Sequence, residues 1–217
     1  MVSFSAAAQQ EASTKFGLKA GTNHAILSGL INEDPHFRTA PHFGIAVLCR
    51  TGGHFAIQPE LLYSSQGARV ERPYDYGQRT TEGDTKLSYV TLPIMAKVYI
   101  GSVFYIQAGP QVGLLTGAKY KGEVVRYVDD PIRYTSVAKV TNEEMDIQGD
   151  YKKADFAMCG GVGADFKNGI AVSARLNYGL TTIENRKDYQ AFRDRFGLDG
   201  MYNRVIQVSV GYFFGQK

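Results

Sequence analysis

The sequence predicts an all-β fold: a single antiparallel up-and-down transmembrane β-barrel of about eight strands, with short periplasmic turns and long extracellular loops. Three observations carry this. Apolar residues recur with a period of two, and the apolar parity is free of charge. The alternating runs exceed the roughly 5–6 residues usual in soluble sheets and reach the roughly 9–11 tilted residues that a bilayer-spanning strand needs. The connections alternate between short and long, which puts tight turns at one rim and long loops at the other.

The clearest stretch runs from Leu87 to Leu115, LSYVTLPIMAKVYIGSVFYIQAGPQVGLL. Val90, Leu92, Ile94, Ala96, Val98 and Ile100 share one face; Tyr89, Thr91, Pro93, Met95, Lys97 and Tyr99 share the other. After Gly101-Ser102 the alternation restarts. Phe104, Ile106, Ala108, Pro110, Val112 and Leu114 are set against Tyr105, Gln107, Gly109, Gln111 and Gly113. Period two on both sides of a glycine turn is a hairpin signal.

The remaining strands follow in order. The first is Lys15 to Asn23, with Phe16, Leu18 and Ala20 on the apolar side, then a polar loop from Leu30 to Pro41. The second is HFGIAVLCR, joined through Thr51-Gly52-Gly53 to the third, HFAIQPELLYSSQGA. A loop from Arg69 to Thr85 leads into the central hairpin. The longest connection, Lys119 to Lys152, contains Glu123–Tyr127 and Ile132–Val140, which are able to extend the flanking strands beyond the membrane. Strand six is DFAMCGGVGADF, strand seven IAVSARLNYGL, and Lys167-Asn168-Gly169 between them is a tight turn. In the last loop, Thr182 to Tyr202, Tyr189, Phe192 and Phe196 have helical spacing. Strand eight is NRVIQVSVGYFF. Both termini then lie at the short-turn rim.

Composition agrees with a folded domain: 217 residues, 44% hydrophobic and 21% charged. No apolar run approaches the roughly 18 residues of a transmembrane helix. A net charge of +3, with scattered basic residues, does not point to nucleic acid. Cys49 and Cys159 fall on opposite parities, so no disulfide is expected. Residues 1–8 read as the remnant of a signal peptide ending at Ala6-Ala7-Ala8, which makes 9–217 the barrel domain.

Three segments, QPELLYSSQG at Gln58–Gly67, LSYVTLPIMAKVYI ending at Ile100, and AGPQVGLL at Ala108–Leu115, resemble the PorT-like outer-membrane β-barrel family of Bacteroidetes. The resemblance implies a small outer-membrane barrel with a cleaved signal peptide and a link to secretion across the outer membrane. It supplies no catalytic residues. One departure is the end of the chain, where Phe214 is followed by Gly215-Gln216-Lys217 instead of closing on an aromatic.

The polar parity gathers Lys19, Arg50, Glu60, Lys97, Asp165 and Arg175. Inside a barrel just wide enough for side chains, these charges must pair. Glu60 with Lys97 and Asp165 with Arg175, on neighbouring strands, are the expected pairs. A side-chain-filled lumen is expected rather than a solute pore, with a proton or ion path as the lesser reading. The candidate recognition residues are the loop aromatics Tyr74, Tyr76, Tyr127, Tyr134, Tyr189, Phe192 and Phe196. No metal-ligand spacing, cofactor motif or catalytic triad is present; His24 and Ser28 are placed near the loop rim, but nothing else supports a triad.

The expected function is a non-catalytic outer-membrane barrel acting as a binding, scaffold or secretion/assembly component. Its partners would be outer-membrane lipid and other envelope proteins. The alternatives are a rim-sited lipid or peptide hydrolase, and a soluble eight-stranded ligand carrier with the apolar parity turned inward.

Overall fold

Apolar side chains spaced two apart along long runs make every strand amphipathic, and the chain satisfies both faces by closing on itself. The computed structural model describes residues 13–29, 34–74, 79–130 and 135–214. Its strands are β1 (Ser13–Ser28), β2 (Asp34–Gly52), β3 (Phe55–Tyr74), β4 (Arg79–Ile100), β5 (Phe104–Asp130), β6 (Thr135–Asp146), β7 (Ala154–Asp165), β8 (Ile170–Gly179) and β9 (Tyr202–Phe214). All pairings between them are antiparallel.

Eight of these strands form a hydrogen-bonded ring, β4-β3-β2-β1-β9-β8-β7-β5, closed by β4 against β5. Among the described residues the ninth, β6, pairs with the far end of β5 alone, Lys119↔Asp146 through Asp130↔Thr135. It stands outside the ring as the return arm of a long hairpin.

The charge-free parity faces outward. Phe16, Leu18, Ile57, Leu61, Leu92, Ile94, Ile106, Leu176, Val208 and Val210 are all exposed on the outer wall. The outward positions of β4 between Ser88 and Ile100 carry no charge. At about 3.3 Å per residue and about 40° of tilt they span roughly 30 Å, the thickness of a bilayer's hydrocarbon core. A soluble carrier would bury this parity, so the outward wall excludes that alternative. Aromatic side chains mark the edges of the band. Tyr212 and Phe214 pack edge-on at 5.0 Å near the short-turn rim. Arg204 lies 3.4 Å over the Tyr178 ring near the other. Such rings favour the membrane–water interface.

The turn rim is built as expected. Gly101 closes the β4–β5 turn at φ 71°, a left-handed conformation that suits glycine. Gly169 does the same between β7 and β8 at φ 91°.

The long-loop rim differs from the sequence reading. The described residues of Arg69–Thr85 are strand: β3 continues to Tyr74 and β4 begins at Arg79, paired from Tyr74↔Arg79 to Ala68↔Thr85. The Leu30–Pro41 loop shortens likewise, since β2 begins at Asp34. Most of the Lys119–Lys152 connection is the β5–β6 hairpin, as Glu123–Tyr127 and the described part of Ile132–Val140 suggested. Above the bilayer the outward face of a ladder meets water and carries polar residues such as Glu82, Lys86 and Lys121. The backbone pairing persists there, but the apolar alternation that signals it is lost. A helix, α1 (Lys187–Phe196), occupies the last loop and ends at left-handed Gly197.

Candidate functional site: the filled lumen and the outer rim

The inward parity stacks three tiers of side chains. The middle tier is ionic. Glu60, from β3, is 2% exposed and accepts hydrogen bonds from three side chains. Lys19 Nζ lies 2.8 Å and Gln58 Nε2 2.7 Å from Glu60 Oε1, and Arg175 Nη1 lies 2.9 Å from Oε2. Arg175 also donates through Nε to Gln207 Oε1. Gln207 Nε2 passes the chain to Asn23 Oδ1 at 3.0 Å, and Asn23 Nδ2 to Ser64 Oγ at 3.0 Å. A buried carboxylate between two cations, with its oxygens fully engaged, meets the condition for keeping charge out of water.

Nearer the turn rim, Lys97 Nζ lies 3.0 Å from Asp165 Oδ2 and 3.8 Å from the centre of the Tyr105 ring. Tyr99 donates its hydroxyl to the same Asp165 oxygen. Gly163 makes room here, because a Cβ on it would lie 2.3 Å from the Tyr105 hydroxyl. Ala46, Leu48, Ala171 and Phe213 complete this tier.

The two expected ion pairs are replaced by others. Glu60 does not pair with Lys97, nor Asp165 with Arg175. Lys97 stands opposite Ala56 on β3, so Glu60 lies roughly 13 Å further along that strand at about 3.3 Å per residue. Arg175 stands opposite Gly161 on β7, and Asp165 opposite Ala171 on β8, an equal offset. Partners therefore form across the lumen at equal height: Glu60 with Lys19 and Arg175, Lys97 with Asp165. Arg50 is not part of the buried network. It sits half-buried at the turn-rim mouth, 4.1 Å over the Tyr99 ring.

The third tier is apolar and closes the outer mouth. Ile183 and Met201, from the β8–β9 connection, pack with Leu27, Val70, Leu87, Tyr89, Leu115 and Tyr120. The connection is clamped by Arg193 on α1. Its Nε donates to Glu184 Oε2 at 2.8 Å, its Nη2 to Gly29 O at 2.5 Å, and its Nη1 to Asp199 O. Nothing in the sequence pattern marks this clamp, because Glu184 lies in an aperiodic stretch and Arg193 is not among the aromatics whose spacing marks the helix. The neutral members of the middle tier, Gln58, Asn23, Ser64 and Gln207, share the inward parity of the charged ones, and that parity is the sequence signal for them.

The candidate recognition residues are scattered over the outer rim. Phe192 and Phe196 are exposed on α1 with ring centres 4.6 Å apart. Tyr127 is exposed on the β5–β6 hairpin. Tyr74 ends β3 and Tyr189 lies in α1, but their side chains are outside the described residues, as are Tyr76 and Tyr134 altogether. On the hairpin, Lys119 Nζ donates to Glu144 at 2.8 Å and Arg126 Nη2 to Glu143 at 2.8 Å. The hydrogen bond from Lys119, aided by its charge, holds the Glu144 carboxyl below its ordinary range. Thr141 and Arg126 do the same for Glu143.

His24 is not joined to Ser28. Its Nδ1 meets Thr39 Oγ1 at 3.0 Å, while Ser28 donates to the carbonyl of Tyr202. A second His–hydroxyl pair, His42 Nε2 to Ser209 Oγ at 2.9 Å, lies inside the lumen. His42 Nδ1 has no side-chain carboxylate to orient it, unlike the base of an activated nucleophile. No group of metal-ligating side chains is assembled among the described residues.

A family model described as outer membrane protein beta-barrel domain matches residues 7–185. No curated protein matches the chain. Among solved structures, the chain is similar to Neisserial surface protein A, at 11% identity over 92% of this chain and 97% of that one, TM-score 0.49. It is similar to Ail, the attachment invasion locus protein of Yersinia pestis, at 14% identity over 94% and 100%, TM-score 0.43. It is also similar to OprG from Pseudomonas aeruginosa, at 12% identity over 94% and 98%, TM-score 0.43. The family match covers most of the chain, and the closed ring with its uncharged outer band agrees with it. The chain belongs to the outer membrane protein beta-barrel domain family and is an integral protein of the outer membrane.

Proposed function

We propose that this barrel is a non-catalytic binding, scaffold or secretion/assembly component that works through its extracellular sheet and not through its lumen. The observation that carries this reading is the contrast between the two regions. The lumen is crossed by buried ion pairs and capped by Ile183 and Met201. The β3–β4 and β5–β6 ladders continue beyond the membrane as ordered hairpins. Rigid elements presenting exposed aromatics are where recognition resides. The resemblance of Gln58–Gly67 and Ala108–Leu115 to the PorT-like family of Bacteroidetes supports a place among secretion components, and its partners would be other envelope proteins.

The test is removal of the β5–β6 arm. Replacing residues 124–141 by a two-residue Asn-Gly turn leaves the ring strands intact. The shortened protein should still show a heat-dependent gel shift. A photoreactive residue at Tyr127 or Val140 of the full chain should cross-link to other envelope proteins, and the shortened protein should no longer co-purify with those proteins. Cross-links that form equally from outward membrane positions such as Ile94, with none specific to the hairpin, would overturn the reading.

A further inference from the structure

The turn-rim mouth holds a feature that the filled lumen does not use. A half-open cavity of about 310 Å³ opens there. Its polar wall carries Lys15 from β1, Arg50 from β2 and Lys167 from the β7–β8 turn; Leu48 and Phe213 form an apolar floor. The one carboxylate among the described residues that line the cavity, Asp165, is already engaged by Lys97 and Tyr99. None of Lys15, Arg50 and Lys167 makes an ion pair with a described residue. Among the described residues, three cations from three separate elements therefore line one concavity whose carboxylate is already shared by Lys97 and Tyr99. Arg50 and Lys97 also flank Ala56 on adjoining ladders, so positive charge continues inward from the mouth.

Like charges held together raise one another's energy, and an anion that neutralises them is bound correspondingly well. The guanidinium supplies a planar fork of donors, and the two ammonium groups supply point charges. That combination suits a phosphate, whose oxygens can accept from all three cations at once. Arg50 is steadied for this role by its stacking on Tyr99.

We infer that the periplasmic mouth of the barrel is a phosphate-binding vestibule in which Arg50, Lys15 and Lys167 hold the oxyanion. The phosphate arrives either free from the periplasm or on the headgroup of an anionic phospholipid in the inner leaflet. The site lies at the opposite rim from the extracellular hairpins and stands independently of their role.

The experiment uses the full chain in a neutral detergent at fixed ionic strength. Calorimetric titration with inorganic phosphate reads the free source. Native mass spectrometry of protein in mixed micelles containing phosphatidylglycerol reads the lipid source. Arg50→Gln and Lys15→Gln should each weaken the binding about tenfold or more. Lys153→Gln, at the far rim, should leave it unchanged, and the heat-dependent gel shift checks that every variant is folded. Saturable phosphate binding lost in Arg50→Gln supports a vestibule for free phosphate. Arg50-dependent retention of phosphatidylglycerol, without free phosphate binding, supports a headgroup site. Absence of both, or binding equal in Arg50→Gln and wild type, overturns the inference.

Discussion

Glu60 and Arg175 meet across the lumen at 2.9 Å although their strands, β3 and β8, share no backbone ladder. The contact ties opposite walls of the barrel together. It also makes Lys19, Gln58 and Gln207 parts of one buried unit.

Removing the shared carboxylate leaves two buried cations facing each other. Glu60→Gln is expected to destabilise the barrel by about 3–5 kcal/mol, the usual cost of stranding a buried charge. Urea-induced unfolding in lipid vesicles, followed by gel shift, measures it. A change under about 1 kcal/mol would mean that the network carries little of the stability.

The pairing by height makes a sharper prediction. A double-mutant cycle with Lys97→Met and Asp165→Asn should give a coupling energy of about 1 kcal/mol or more, as close buried partners do. The cycle of Lys97→Met with Glu60→Gln should give clearly less. Equal coupling would place Lys97 between both carboxylates.

The outer band should reject charge according to depth. Ile94→Arg, near the middle of the band, should cost about 2–4 kcal/mol, whereas Ser88→Arg at its edge should cost about 0–1 kcal/mol. Refolding yields and vesicle unfolding of the two variants compare them. A reversed order would shift the position of the membrane.

The clamp on the β8–β9 connection should be separable from the barrel. Arg193→Ala removes its bonds to Glu184, Gly29 and Asp199. Limited proteolysis should then cut within residues 184–200 at least several-fold faster, while the gel shift of the barrel persists. Unchanged cleavage would assign the closure to Ile183 and Met201 alone.

The β5–β6 hairpin should loosen in acid. Glu143 and Glu144 titrate below their ordinary range because Thr141, Arg126 and Lys119 favour their charged forms. A depressed carboxylate contributes its stability above its unfolded value and loses it as the pH falls through the folded one. Corrected for the intrinsic rate, amide protection at Val124, Val125 and Val140 should therefore be greatest near neutrality and fall below the ordinary carboxylate range. The effect should be small, because both pairs are exposed. Faster exchange as the pH rises from acid to neutral, after correction for the intrinsic rate, would contradict the sign.

The membrane band was legible because its physics is written in single residues. Leu92, Ile94 and Ile106 alternate with Thr91, Met95 and Gln107, and only one wall of a barrel can be that uniformly apolar. The membership of the lumen was legible for the same reason: Lys19, Glu60, Lys97, Asp165 and Arg175 all fell on the other parity. Their pairing was not. Parity fixes a side chain's face but not its height, and height depends on the register of every intervening strand, including shifts such as the one at Ser88/Tyr89. The extracellular hairpins were hidden because their outward positions, such as Glu82, Lys86 and Lys121, are charged while the inward Thr81 and Thr85 are buried without being apolar, so no apolar alternation marks the strands. The cap was hidden because Ile183 and Met201 are single apolar residues in aperiodic loops.

The central claim is that side chains fill this barrel and close it. Conductance across a planar bilayer tests it most directly, with protein that shows the heat-dependent shift. The account predicts a silent membrane for the native chain. Stable, reproducible open-channel steps from the native protein would contradict it.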